Sequence, residues 1–395
     1  MNEQQHGIMT KSAVLSIATL LYTVKMAGPA LGAIKQAFPG VSPIMIQQLL
    51  TIPPMMMIVG SLVTARLQQV IPKKKILYIG ILLQIICGIM PAFYGDITFM
   101  LITRVFFGLG YGMTFPLASS LIADLFEGKE RDAMMGYKSA VGAAAGVVFQ
   151  MLGGFLAAID WRYNFLGLLI LIPIYLMILY KVPEPEKAPV VKAATGSRFG
   201  GITSTTWFIY AFNMVFNILQ YSFITNVALV MASEKIGGPA QAGTVLTIFT
   251  VAALIAGVFY GKISQLFKEY TLALAFAFLG AAFLVVAHYN TYEMFLLGAI
   301  LYGLGFGTYN PEITIRTIKS VDKSVVTVAM SFFVCSMGIG QFGSPFLVYI
   351  ATILGFGGPK ATWMIVAPTC VALCLLMIIA NVFIGSKNKT KNLQG

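Results

Sequence analysis

"GLGYGMTFP" (residues 108–116) and "GLGFGTYNP" (residues 303–311) are one pattern written twice. Gly108, Gly110, Gly112 and Pro116 each return 195 positions further on (108 to 303), as Gly303, Gly305, Gly307 and Pro311. Self-similarity at that spacing points to a duplicated unit of about half the chain. In an apolar helix, glycines let neighbouring backbones approach where lipid supplies no hydrophobic drive between helices. The prolines add kinks that free backbone carbonyls.

The surroundings of both copies are apolar. The chain has 395 residues, 58% of them hydrophobic and 10% charged, and a mean hydropathy of +0.85. Ordinary soluble domains are about 25% charged, so this is a membrane protein. Its start, "MNEQQHGIMTKS", lacks the basic region, short apolar core and small-residue cleavage site of a secretory signal, and the first apolar segment is expected to remain.

Apolar runs near 20 residues, long enough to cross about 30 Å of hydrocarbon, fall at 12–34, 43–66, 76–94, 97–121, 133–158, 162–181, 204–231, 241–264, 270–288, 293–316, 324–352 and 362–385. Between the sixth and seventh lies "KVPEPEKAPVVKAATGSRFGG", whose Pro, Gly and charge content reads as a polar linker. The expected fold is an all-α membrane protein with twelve transmembrane helices in two six-helix bundles. Residues 1–181 form the first bundle, 182–203 a cytoplasmic linker, and 204–395 the second bundle with a short tail. The two glycine ladders occupy the fourth and tenth spans, which both run outside to inside. The repeat is therefore a parallel pseudo-twofold one about the membrane normal, an arrangement found in transporters with a midplane site between bundles.

Short basic loops stay cytoplasmic. With both termini inside, only Lys35, Arg162, Lys235 and Lys360 of the 26 basic residues fall on the outer side, and Lys25 and Arg104 fall within spans. The formal net charge of +12 is spread over short inner loops. That excludes the clustered basic face of a nucleic-acid binder, and the acidic lipid surface is its adequate partner.

"RVFFGLGYG" resembles the Arg-x-x-x-Gly-x-Gly pattern of the major facilitator superfamily, carried here by Arg104, Gly108, Gly110 and Gly112. The resemblance covers essentially the whole chain. "DLFEGKERDAMMGYKSAVGAAAGVVFQMLGG" and "DWRYNFL" look like the inner loop, fifth span and start of the sixth in the drug-efflux branch. The family implies a secondary transporter working by alternating access in the cell membrane, with a small-molecule substrate, no cofactor, no metal and a functional monomer. It also implies gating positions: Gly60 and Arg66 after the second span, Arg131 after the fourth, the ladder residues Gly108, Gly112, Gly303 and Gly307, and Glu312.

Three departures stand out. Thr64 occupies the Asp position of the family's Gly-x-x-x-Asp loop, with Gln265 at the same place in the second copy. Phe149 and Gln150 replace the Gly-Pro that drug antiporters place four residues before a Gly-Gly pair, here Gly153 and Gly154. Of the 14 acidic residues only Glu312 sits within a span, and Arg316, four residues on, offers it a local ion pair. No carboxylate is placed to carry a proton across the cavity.

Charge inside a membrane costs about 2.5–3.5 kcal/mol at a helix centre on insertion scales and by default marks a functional site. Lys25 and Arg104 lie at similar depth in the first and fourth spans, which in this family line the cavity. With no acid nearby in sequence they call for an anion, and a guanidinium beside an ammonium suits a carboxylate. The competing reading is snorkelling or hydrogen bonding to backbone carbonyls. Asn213, Asn217 and Gln220 share one face of the seventh span, as cavity lining or as interhelical glue. Helical steps from Arg104 add Tyr111 and Phe115, the repeat adds Phe306 and Asn310, and Tyr22 lies three residues before Lys25.

The four cysteines all fall in spans, and no His or Asp lies mid-membrane, so a disulfide framework, a thiolate metal site and a hydrolase have no support. The residues therefore describe a transporter of small or amphipathic organic anions by exchange or facilitated transport. The alternative is proton-coupled efflux of lipophilic drugs, for which 29 Phe, 17 Tyr and 21 Met would supply an adaptable lining.

Overall fold

The computed structural model describes residues 7–184, 202–322 and 325–392. The expected linker lies outside these residues except at its ends, as do His6, Lys187, Lys192, Arg198 and Lys323. In chain order the α-helices are α1 (Ile8–Leu20), α2 (Leu31–Ala37), α3 (Pro43–Leu67), α4 (Lys73–Ile89), α5 (Ile97–Leu125), α6 (Gly128–Ile159), α7 (Trp161–Leu166) and α8 (Leu171–Lys181). They are followed by α9 (Ser204–Ser233), α10 (Pro239–Phe267), α11 (Thr271–His288), α12 (Tyr292–Lys319), α13 (Val326–Gly343), α14 (Leu347–Ile353) and α15 (Ala361–Asn392). Among the described residues, an isolated bridge between Ile202 and Val321 is the one β-type pairing.

Polar residues stop and start the helices where the chain leaves the apolar layer. Ser42, Asp96, Asp160, Thr203 and Thr291 each cap the helix that follows by accepting a backbone N–H. Ten stretches of the described chain are long and apolar enough to cross a membrane. One of them, Pro239–His288, holds both α10 and α11, which are separated by a turn at Lys268–Tyr270. α12 is not among the ten, and its C-terminal third, "NPEITIRTIK", is polar.

The glycine ladders explain themselves in the packing. A Cβ at Gly108 would stand 2.8 Å from the Cα of Pro53, and one at Gly112 would stand 2.8 Å from the Cα of Met57 and 2.9 Å from that of Gly60, so α5 lies backbone to backbone on α3. Gly110 faces the other way, against Leu83 of α4 at 2.8 Å. In the second copy Gly303 and Gly307 press on Ala252 and Ala256 of α10, while Gly305 meets Leu279 of α11. Each ladder thus wedges one helix between two others, and its middle glycine serves the opposite face.

The first span is not one helix. After α1 the chain tightens into a 3₁₀ stretch, Thr23–Ala30, before α2 resumes, and Pro29 within it has no N–H to give. Lys25 N–H turns to the carbonyl of Tyr22, which frees the carbonyl of Leu21 for the Tyr111 hydroxyl at 3.0 Å. The Met26 carbonyl accepts from Asn164 Nδ2 at 2.7 Å. The break is held from outside, as irregular backbone at membrane depth must be.

One apolar core, with Phe107, Leu121 and Phe149, lies within residues 13–182. The other, with Phe223, Phe283, Tyr302 and Trp363, is built on α9–α15 and reaches across to Ala30, Leu31, Leu49 and Leu50. At that end the two halves of the chain share a core. Large apolar side chains such as Ile102, Phe106, Phe155 and Val258 remain exposed, as lipid-facing positions should.

Candidate functional site

A cavity of about 620 Å³ lies between the two halves. Its walls come from the 3₁₀ stretch, α3, α5, α6, α9, α10, α12 and α13. Burial is nearly complete at the end marked by residues 27–34, 222–231 and 242–250, and it falls away toward residues 136–140 and 254–261. The cavity is therefore closed at the first end and opens at the second. Across the closed end Gln47 Nε2 donates to Asn226 Oδ1 at 2.7 Å, and Gly154 of α6 backs onto Gly243 of α10.

Seven of the ten residues expected to bind substrate line this cavity: Tyr22, Lys25, Tyr111, Phe115, Gln220, Phe306 and Asn310. Lys25 Nζ lies 3.4 Å from Thr250 Oγ1, 5.3 Å from the Tyr22 ring centroid and 5.7 Å from that of Phe249. Among the described lining residues there are two cations, Lys25 and Lys138, and no Asp or Glu. The Lys138 ammonium donates to Ser119 Oγ at 2.6 Å.

Arg104 lies elsewhere, and the expected pairing with Lys25 is not formed. It is 2% exposed, and its Nη2 donates to the carbonyls of Cys87 at 3.1 Å and Gly88 at 3.0 Å. These are among the last carbonyls of α4, which lack intrahelical donors. Pro91, four residues beyond Cys87, has no N–H to supply. The guanidinium thus caps α4 at the end where the helix dipole favours a cation, packed against Phe107 and Phe165. Of the two readings of Arg104, bonding to backbone carbonyls is the arrangement present.

Asn213 and Asn217 are also turned away from the cavity, into the bundle. Asn213 Nδ2 donates to Ser336 Oγ at 2.8 Å, and Asn217 Nδ2 donates to the Asn213 carbonyl at 2.8 Å. Gln220 Nε2 donates to Asn217 Oδ1 at 3.1 Å, while its Oε1 accepts the Tyr302 hydroxyl. The chain of amides is glue at one end and lining at the other.

The expected gating residues divide. Gly60, Gly108, Gly112, Gly303 and Gly307 are the close-packing positions described above, and Gly307 also borders the cavity. Glu312 accepts from Arg316 Nε at 2.6 Å and from the Tyr260 hydroxyl at 2.7 Å. Arg66 and Arg131 are exposed at the ends of α3 and α6. Thr64, standing in the family's Asp position, donates to the Met113 carbonyl at 3.3 Å. Sequence reasoning missed Thr250 and Phe249, which reach Lys25 from α10, because their partner belongs to the other half of the chain. Lys138, which no sequence argument singled out, lies on α6 and lines the cavity.

A nearly all-helical, multi-pass chain with a cavity enclosed between two helical halves has the architecture of a membrane transporter. The Major Facilitator Superfamily profile matches residues 13–222 and again 206–393, and the chain belongs to that family. It is a secondary membrane transporter, not an enzyme. It is 24% identical over 257 residues to quinolone resistance protein NorA of Staphylococcus aureus (strain MSSA476), covering 61% of this chain and 64% of NorA. The chain thus spans a little under two thirds of that relative's length. It is 22% identical over 321 residues to a TsgA homologue of Erwinia tasmaniensis, covering 79% of this chain and 80% of the homologue. Among solved structures, nucleoside transporter NupG superposes with a TM-score of 0.76 at 13% identity, covering 94% and 98% of the two chains. A bacterial homologue of the human lysosomal transporter Spinster superposes at 0.68 with 17% identity, covering 95% and 96%. At these identities the solved structures speak for the fold alone.

Proposed function

We propose that the protein moves amphipathic organic anions, carboxylates above all, by alternating access, through exchange or facilitated transport. The observation that carries this reading is Lys25, a cation on a broken helix that faces a cavity whose described lining holds no carboxylate. A desolvated ammonium without a counter-charge is costly, and a bound oxyanion offsets that cost by charge-assisted hydrogen bonds. Tyr22, Phe115, Tyr221, Phe249 and Phe306 around it supply ring faces for the apolar part of such a substrate.

The membrane arrangement belongs to the same proposal. Dividing Pro239–His288 into α10 and α11 and adding α12 to the apolar stretches makes twelve crossings, six in each half. Basic inner loops put both termini in the cytoplasm, and the cavity then opens inward. The corresponding contacts of the two glycine ladders support a parallel repeat, and one chain supplies the whole pathway, so a monomer suffices.

The second reading is efflux of lipophilic drugs, favoured by the aromatic lining and by the likeness to NorA, whose name refers to quinolone resistance. Thermal stabilisation of the purified protein by a panel of carboxylates and lipophilic cations separates the two, because a ligand that binds only the folded state raises its melting temperature. Carboxylates are expected to stabilise the parent and Lys25→Arg but not Lys25→Met. Stabilisation by lipophilic cations alone, unchanged in Lys25→Met, would overturn the anion reading in favour of efflux.

A further inference from the structure

Gln150 stands where drug antiporters of this family carry Gly-Pro, and the transport reading gives it no task. It is 1% exposed on α6, facing Thr250 of α10 from the other half of the chain. The hydrogen-bond network assigns the amide nitrogen of Gln150 to the side facing Thr250 Oγ1 at 2.8 Å, with the carbonyls of Leu246 at 3.2 Å and Gly146 at 3.3 Å beside it. The opposite placement would set the amide oxygen against acceptors and leave its N–H groups without any. With the nitrogen in place, the Thr250 hydroxyl uses its full capacity of one donor and two acceptor sites. It donates to the Leu246 carbonyl at 3.1 Å and accepts from Gln150, and its second lone pair takes the Lys25 ammonium at 3.4 Å.

We infer that Gln150 and Thr250 are positioning residues for Lys25, and that this node ties the state of the anion site to the seam between the halves. The inference rests on the reading of Lys25 as the counter-charge of the substrate. Thr250 lies on α10 seven residues beyond Gly243, on the face that Gly154 of α6 packs against. In the empty cavity the ammonium spends a hydrogen bond on the opposite half, through Thr250, and rests near the Phe249 ring. A carboxylate in the cavity draws the ammonium toward itself by a charge-assisted bond, against which the 3.4 Å bond to the neutral Thr250 hydroxyl is the weaker. Substrate binding therefore removes a bond across the seam, and the empty carrier keeps it. An empty carrier held closed in this way changes face slowly, the behaviour of an exchanger.

Thr247 provides a reporter. It lies four residues beyond Gly243 on the same face of α10, is 8% exposed, and its hydroxyl has no partner, so Thr247→Cys is close to isosteric. In the full-length protein with Cys87, Cys335, Cys370 and Cys374 replaced by Ala, the reaction of Thr247→Cys with an impermeant maleimide is followed from the face opposite the cavity mouth. Labelling of the parent is expected to be slow. Thr250→Val and Gln150→Leu are each expected to raise the rate about tenfold, equivalent to about 1.4 kcal/mol. Thr250→Ser, which keeps the hydroxyl, should return the parent's rate, and equal melting temperatures exclude a general loosening of the fold. Benzoate or octanoate should raise labelling of the parent and leave Thr250→Val unchanged. Parent-like labelling in both Thr250→Val and Gln150→Leu would overturn the inference whatever the carboxylates do. Raised labelling in both variants with no response to either carboxylate would keep the node and overturn the anion reading.

Discussion

Replacing Gly112 and Gly307 by Ala, singly and together, tests the reading of the repeated nonapeptide most directly. A Cβ at Gly112 would come within 2.9 Å of the Gly60 Cα and 2.8 Å of the Met57 Cα, both backbone atoms. A Cβ at Gly307 would meet Ala256 Cβ at 2.8 Å and the Ala253 carbonyl carbon at 2.9 Å. Neither site has a flexible side chain that could yield, so a helix must move. Overpacking of this kind costs about 1–3 kcal/mol, and the removal of a helix-interior glycine returns about 0.5–1 kcal/mol. Each variant should lose roughly 0.5–2 kcal/mol. The two sites share no partners, so the double variant should lose the sum. Gly136→Ala and Gly261→Ala are the controls, since nothing lies within 4 Å of a Cβ at either place. The assay is thermal unfolding in detergent. A drop in both ladder variants with none in the controls is expected. A ladder variant that melts at or above the parent, or controls that fall equally, would refute the account of the ladder as a backbone contact.

Three further substitutions separate structure from transport. Arg104→Met should destabilise by about 3–6 kcal/mol, because hydrogen bonds from a charged donor are worth about 1.5–3 kcal/mol each and two α4 carbonyls lose theirs; the ligand-induced rise in melting temperature should survive in it. Tyr302→Phe removes the donor to Gln220 Oε1, so it should cost about 1 kcal/mol of stability and weaken stabilisation by carboxylates as the Gln220 amide loses its fixed orientation. Glu312→Gln breaks the ion pair of a buried Glu312 with a partly exposed Arg316 and should cost about 1.5–3 kcal/mol, the range for a hydrogen bond to a charged group. Faster hydrogen exchange should accompany it, confined to the C-terminal third of α12.

Spans and ladders were legible because both depend on local spacing. The expected 204–231 and 293–316 became Ser204–Ser233 and Tyr292–Lys319, since apolar length and capping residues decide where a membrane helix stops. The break in the first span was written in Gly28-Pro29, but hydropathy does not register it: the residues stay apolar while the hydrogen bonding changes. Arg104 was misplaced for a related reason. Periodicity put it on the Tyr111 face, and its long side chain reached instead for carbonyls that Pro91 leaves open on the neighbouring helix. The stripe of Asn213, Asn217 and Gln220 is real, but whether a stripe meets cavity or bundle depends on the tilt of α9 against α12 and α13, which no single helix encodes.

On the proposed parallel repeat, the recurrence of the glycine ladders and the absence of a second Lys25 have a common cause. The 195-residue offset carries Arg104 to Ala299 and Lys25 to Gln220. Backbone contacts such as those of the ladders cost nothing to repeat and favour the same packing in each half. An ammonium at the Gln220 position, in a lining that already holds Lys25 and Lys138, would add repulsion at low dielectric and would bind a monoanion no better once one charge is matched. An amide at the corresponding position supplies N–H donors without charge, and the amide chain back to Ser336 fixes which way it points. On this argument Gln220→Lys should weaken stabilisation by monocarboxylates and improve it for dicarboxylates. A gain for both classes would show that charge, and not donor geometry, limits the second half of the site.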